Sequence, residues 1–414
     1  MTKKIQDIEV LRGIAVLFVC VEHMHMNLFA WVPGQWHQMF YGWSGMWSGV
    51  DLFFVISGFV IARDLVPRLA ATGSTHERLV VSVAFWIRRA WRLIPSAWWW
   101  LGVILVACVV FDRSGAWGSL RANFEGALAA IFQVANLRVM ATYGVHEAGA
   151  TFPYWSLSLE EQFYLFFPFL IWMSGRRLPL VLAVIVVAQL VLPRTPLGII
   201  CRTDALGLGV LIALWSSRDS YRLFEPRFMA NRWVRATLVL ILLVGLAFIG
   251  GEDIHIPIEI SMVAIIAAIL VFLASFDRDY ILARGWLKNV LQWVGGRSYA
   301  IYLIHIPAYF ATREIWFRLE PEGTVFSPAY MPLFLATAVA LIVGCAEINY
   351  RLLEVPLRRR GAVISERYRN ERNVSRMPAD REAPQHRLAE TDPDSAAGAA
   401  QSARISGQKS AGLP

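Results

Sequence analysis

The chain has 414 residues, of which 57% are hydrophobic and 17% charged, and its mean hydropathy is +0.48. Soluble domains carry about 45–50% apolar and about 25% charged residues, so this composition excludes an ordinary soluble enzyme; disordered, collagen-like and disulfide-scaffold chains fail on the same figures. The formal charge of +8 raises nucleic acid as a partner until the positions of the charges are read.

A helix needs roughly 20 mostly apolar residues to cross about 30 Å of hydrocarbon. Such runs lie near 8–29, 47–65, 96–112, 156–174, 178–193, 203–217, 234–250, 257–276, 297–316 and 330–350. The pattern predicts an all-α polytopic membrane protein of about ten transmembrane helices. An eleventh run, 124–138, is interrupted by Gln133 and Asn136. With the N-terminus inside, ten spans put 22 of the Lys and Arg residues between 3 and 360 on the cytoplasmic side and 6 outside, as the positive-inside rule requires. Counting 124–138 as a span would destroy that asymmetry, so it is read as a re-entrant or interfacial segment on the outer side. The positive charge therefore marks topology and not nucleic-acid binding. Cys20, Cys108, Cys201 and Cys345 all sit inside apolar runs, far apart, a spacing that makes neither a zinc site nor a disulfide framework. Lys3 and Lys4 precede a first span read as a retained helix. From 361 to 414 the composition turns polar, with eight basic and seven acidic side chains, and predicts a disordered cytoplasmic tail behind a membrane domain of 1–360. Both termini are expected in the cytoplasm.

Ionisable groups inside spans cost about 2.5–3.5 kcal/mol each on insertion scales and point to function by default. In the first span Arg12 and His23 are eleven residues apart, which places them within about 20° of one helix face and roughly 16 Å apart along it. The guanidinium suits phosphate or carboxylate, or snorkels to headgroups. The imidazole suits proton transfer, or is a satisfied core histidine. Asp51 opens the second span from the outer end, as a functional carboxylate or as the partner of a cation there. Arg88 and Arg92, four apart among Trp86 and Trp91, form a basic aromatic helix that fits a polyanionic cofactor or anionic lipid.

Ser156, Glu160 and Tyr164 then recur at a spacing of four on one face, with Glu161 beside Glu160. One of these carboxylates is expected to pair with Arg202, to orient a ring nitrogen of His23, or to hold the bundle in an ion pair. Arg202 and Asp204 open a later span as a charged pair. Ser298, Tyr302 and His305 share a face of another, before Pro307. Glu354 and Arg358 read as an interfacial capping pair after the last span.

Six blocks carry a family resemblance in their order: LRGIAVLFV (11–19), GVDLFFVISGF (49–59), FWIRRAWRLIP (85–95), WSLSLEEQFYLFFP (155–168), GRSYAIYLIHIP (296–307) and EVPLR (354–358). Together they resemble the acyltransferase-3 family, integral membrane proteins that O-acylate bacterial surface glycans and some secondary metabolites. The family's signature of a basic residue, ten residues and a histidine falls on Arg12 and His23, and the resemblance runs over roughly residues 5–360.

The resemblance implies a multi-pass protein of the bacterial cytoplasmic (inner) membrane. It implies acyl-CoA, usually acetyl-CoA, as co-substrate, no metal, and a polysaccharide, lipopolysaccharide or lipid-linked glycan acceptor. Some members carry an extra esterase-like domain that completes transfer outside. No segment here reads as one, so either the bundle performs the whole reaction or a separate periplasmic partner accepts the acyl group. Attack of a sugar hydroxyl on a thioester needs a base. His23 is expected to supply it, or to carry the acyl group transiently. Arg12, Arg88 and Arg92 are expected to bind donor phosphates, and Glu160, Glu161 and Asp51 to orient His23 or hold acceptor hydroxyls. Ser156, Tyr164, Arg202, Tyr302 and His305 are expected along the substrate path. Two other readings stand beside this one. The same residues would serve acylation of a small metabolite such as a macrolide sugar, and a proton- or anion-coupled transporter would use the buried His and Arg as a relay but calls for internal repeats that the sequence lacks.

Overall fold

A computed structural model describes residues 4–32, 34, 44–142, 144–251 and 258–374. Among them the secondary structure is entirely helical, as apolar runs of this length dictate where backbone groups must be satisfied within their own segment. The helices are α1 (Gln6–Asn27), α2 (Ser48–Ala70), α3 (Thr75–Val110), α4 (Leu120–Ile131), α5 (Ala135–Thr142), α6 (Tyr154–Ser174), α7 (Leu178–Val191) and the short α8 (Pro196–Ile200). There follow α9 (Asp204–Ser216), the short α10 (Ser220–Leu223), α11 (Arg232–Phe248), α12 (Glu259–Ser275), α13 (Trp286–Gly296), α14 (Ser298–Leu319), α15 (Met331–Asn349) and α16 (Val355–Val374). A π-helical turn, Tyr350–Glu354, joins α15 to α16.

Three helical stretches are long and apolar enough to cross a membrane: Thr75–Val110, Tyr154–Val191 and Pro328–Arg372, while Asp204–Ser216 and Glu259–Ser275 are shorter apolar helices. The helices outside this set include α1, α2 and α14, whose charged and polar groups lower their hydropathy. Those three helices build the site together with α3 and α6. Two expectations change in detail. The basic aromatic stretch at 85–95 is continuous with the span after it, in one 36-residue helix that runs through Pro95. Residues 361–374, expected in an unstructured tail, continue helix α16; the rest of that segment, 375–414, lies outside the described residues.

The segment at 124–138 is a broken helix, interrupted between α4 and α5 at Gln133, whose φ is +57°. Side chains of α6 satisfy the backbone freed by the break. Gln162 donates from Nε2 to the Gln133 carbonyl at 2.7 Å and to Asn136 Oδ1 at 3.0 Å, and Ser158 Oγ accepts from Ala135 N at 3.3 Å. Irregular backbone is tolerated in such a setting only when protein groups take its hydrogen bonds.

Glycines set the closest helix crossings. A Cβ on Gly58 of α2 would collide with the Leu206 carbonyl of α9, and one on Gly209 of α9 with the Val55 carbonyl of α2. Small residues at such crossings let backbones approach and pack. Gly209→Ala is therefore expected to destabilise the protein by about 1–3 kcal/mol through overpacking. A thermal melt in detergent reads this as a lowered Tm, and an unchanged melt would contradict the tight crossing. Near the start of α1, buried Asp7 accepts from Lys288 Nζ at 2.6 Å and from Tyr280 N at 2.8 Å, tying α1 to the α12–α13 connection. Lys288 also donates to Asp279 at 2.6 Å, and that hydrogen bond holds the Asp279 carboxyl below its ordinary pKa.

Candidate functional site

Helices α1 and α14 meet at both ends of one shared seam. Arg12 Nη2 donates to Ser298 Oγ at 3.0 Å, and two turns further along α14 His305 Nε2 lies 2.9 Å from His23 Nδ1. The spacing of eleven on α1 thus projects both the guanidinium and the imidazole toward α14. The two imidazoles are nearly parallel, with centroids 5.1 Å apart and planes at 20°. Phe152 meets His23 edge-on at 5.0 Å. His305 is fully buried, and its Nδ1 is 2.6 Å from the carbonyl oxygen of Tyr302.

Two cavities flank this seam. One, of about 80 Å³, is lined by Arg12, Arg89, Arg92, Ser156, Glu160, Tyr164 and Tyr302 among others. The second, of about 200 Å³, is lined by Val19, Glu22, His23, Trp47, Val50, Trp155 and Arg202. Val50 borders both. A basic chamber and a histidine chamber are therefore neighbours across one valine.

In the basic chamber Glu160 accepts from the Tyr164 hydroxyl and from Ser57. Arg89 lies over the Tyr164 ring at 5.3 Å and over Phe85 at 5.7 Å. Ser156 Oγ and Tyr302 OH are 2.6 Å apart, and Tyr302 donates to the Pro153 carbonyl at 2.9 Å. Buried Glu354, in the π-helical turn, interacts electrostatically with Arg92 and Arg12. It faces inward to this cluster and does not cap the helix with Arg358 alone.

Several expected residues fall elsewhere. Arg88 does not line the basic chamber: it donates to Ser365 Oγ of α16 at 2.8 Å and reaches Asp64 at 3.5 Å. Arg89, its neighbour in sequence, takes the inward position instead. Spacing fixes the angle between residues on a helix, and packing decides which side turns in. Asp51 is fully buried in a bidentate pair with Arg202, with oxygens 3.0 Å from Nε and 2.8 Å from Nη2. A carboxylate so engaged holds Arg202 in place, with each of its oxygens bonded to the guanidinium. Arg202 stands over Trp47 and Trp155 at 5.6 and 5.3 Å. Asp204, expected beside Arg202, pairs with Arg194. Glu160 does not pair with Arg202 either, and the Nδ1 of His23 is held by His305 and by neither glutamate. Glu161 borders a separate cavity of about 20 Å³ together with Glu160 and Tyr154. The sequence reading missed Arg89, Ser57 and the inward Glu354. Among the described residues no group of His, Cys, Asp and Glu could hold a metal ion.

The arrangement can do two things chemically. Three arginines lining one chamber attract a polyanion, with guanidinium groups that match phosphate oxygens. An imidazole held through one nitrogen leaves the other for proton transfer.

A family model described as an acyltransferase domain matches residues 5–347. The chain is 26% identical over 392 residues to the peptidoglycan O-acetyltransferase of Listeria monocytogenes, covering 87% of this chain and 57% of that protein. It is 26% identical over 388 residues to a Bacillus subtilis protein provisionally named a peptidoglycan O-acetyltransferase, covering 86% of this chain and 55% of the relative. To a Staphylococcus aureus protein provisionally named an O-acetyltransferase it is 28% identical over 383 residues, covering 86% of this chain and 58% of the relative. The chain thus spans less than two thirds of the length of the curated relatives it matches. No solved structure matches it.

Proposed function

The chain belongs to the acyltransferase-3 family, and from that premise we propose that it transfers an acetyl group from acetyl-CoA to a hydroxyl of a cell-surface glycan. The observation that carries the proposal is the adjacency of the two chambers, one lined by Arg12, Arg89 and Arg92 and the other by His23, with Val50 common to both. Arg12, Arg89 and Arg92 hold the donor's phosphates at the cytoplasmic end.

His23 takes the proton of the acceptor hydroxyl as its oxygen bonds to the thioester carbonyl carbon. The carbon–sulfur bond then breaks, and the proton passes from His23 to the leaving thiolate, so that ester and free CoA thiol are formed. A general base in this position is worth typically 10²–10⁴-fold in rate. Arg202, fixed by Asp51 between two indoles, lines the histidine chamber, where an outward-facing glycan enters. The names of the relatives support a glycan acceptor.

Cells with and without the protein, compared by mass spectrometry of their surface glycans, test the proposal. The expected result is loss of alkali-labile acetyl, one unit of acetyl mass per modified sugar, when the protein is absent. Identical ester content in both would overturn it.

A further inference from the structure

The hydrogen-bond pattern behind His23 assigns a role to His305. It lines neither chamber and is fully buried, so no substrate reaches it. Its Nδ1 is 2.6 Å from the Tyr302 carbonyl oxygen. A carbonyl only accepts, so Nδ1 carries the hydrogen. A neutral imidazole has one N–H, which leaves Nε2 of His305 as a bare acceptor. The alternative, a doubly protonated His305, would bury a cation with no carboxylate partner, whose ring nitrogens meet the backbone of Tyr302 and Ile301 and another imidazole, at a cost the fold does not repay. The 2.9 Å contact is therefore His23 donating from Nδ1 to His305 Nε2, and the bare nitrogen of His23 is Nε2.

The surroundings hold this arrangement in register. Tyr309, whose hydroxyl donates to the Cys20 carbonyl at 2.8 Å, meets the His305 ring edge-on at 5.9 Å. Phe152 closes on His23 from another side. We infer that His305 is a positioning residue, which fixes His23 in the tautomer and ring orientation that present Nε2 as the base, through the sequence Tyr302 carbonyl, His305, His23. The same logic, a buried partner setting the tautomer of a catalytic imidazole, is worth orders of magnitude in better-known triads. The inference rests on the acyl-transfer reading for its kinetic consequence and stands without it for its structural one.

Two readouts separate these. In protein labelled with ¹⁵N-histidine and reconstituted in lipid, the His23 resonances are those lost in His23→Ala. They are expected to show a protonated Nδ1 and an unprotonated Nε2. His305→Phe, which keeps a ring and removes the acceptor, is expected to mix the two tautomers. It should lower kcat roughly 10–100-fold with KM for acetyl-CoA and acceptor unchanged. His305→Gln, whose amide oxygen accepts from Nδ1–H, is expected to restore both the tautomer and most of kcat. A His23 protonated at Nε2 in the wild type, or an unaffected tautomer in His305→Phe, overturns the inference. If the wild type shows the expected tautomer but transfers no acyl group, the functional reading fails and this inference stands. Should His305→Phe fail to fold, the wild-type and His305→Gln spectra still decide.

Discussion

His23→Ala is expected to abolish acetyl transfer, with a loss of about 10²–10⁴-fold in kcat, the range in which removal of a general base falls. The bundle should remain intact, because His23 is only partly buried and its polar contact is one hydrogen bond to His305. The neighbouring anchor, Arg12 to Ser298, is untouched. Removing the ring takes the only imidazole from the lining of the histidine chamber, where Glu22 is the one carboxylate. Initial rates with purified variant, together with its elution profile in detergent, check both halves. Wild-type rates in a well-folded variant would remove His23 as the base.

The second large effect concerns the donor. Arg89→Ala and Arg12→Ala are each expected to raise KM for acetyl-CoA roughly 10–100-fold, since hydrogen bonds to charged groups contribute about 1.5–3 kcal/mol. The acceptor's KM should stay unchanged. Arg88→Ala provides the contrast. Its side chain ties α3 to Asp64 and Ser365, so its loss should lower thermal stability and leave the donor's KM alone. Saturation kinetics on the three variants decide the matter. If Arg88→Ala raises KM as much as Arg89→Ala, the basic chamber is not where the donor binds.

What the sequence made legible follows from local periodicity. The apolar runs placed most of the long helices to within a few residues, though not the start of α3 at Thr75 nor α16, and the polar pair Gln133 and Asn136 marked the break between α4 and α5. The spacing of eleven put Arg12 and His23 on one wall, and the period of four in α6 put Ser156, Glu160 and Tyr164 along one chamber. Partners across long separations were not legible. Asp51 and Arg202 are 151 residues apart, and His23 and His305 are 282 apart; no local pattern distinguishes the Arg202–Asp51 pair from the nearer Arg202–Asp204 alternative. The choice of Arg89 over Arg88 depends on the rotation of α3 about its axis, which Ser365 of α16 helps to fix. Helix α13 is too short and too mixed in polarity to read as a span, yet it packs on α1 through Gly13 and Gly295.

Acetyl-CoA labelled in its acyl carbon, added to proteoliposomes holding the purified protein and a glycan acceptor, gives the most direct measurement. The account predicts label in alkali-labile ester on the glycan, released with one equivalent of CoA thiol per ester, and none in vesicles carrying His23→Ala. Equal labelling by the His23→Ala protein, or ester formed without release of CoA, would contradict it.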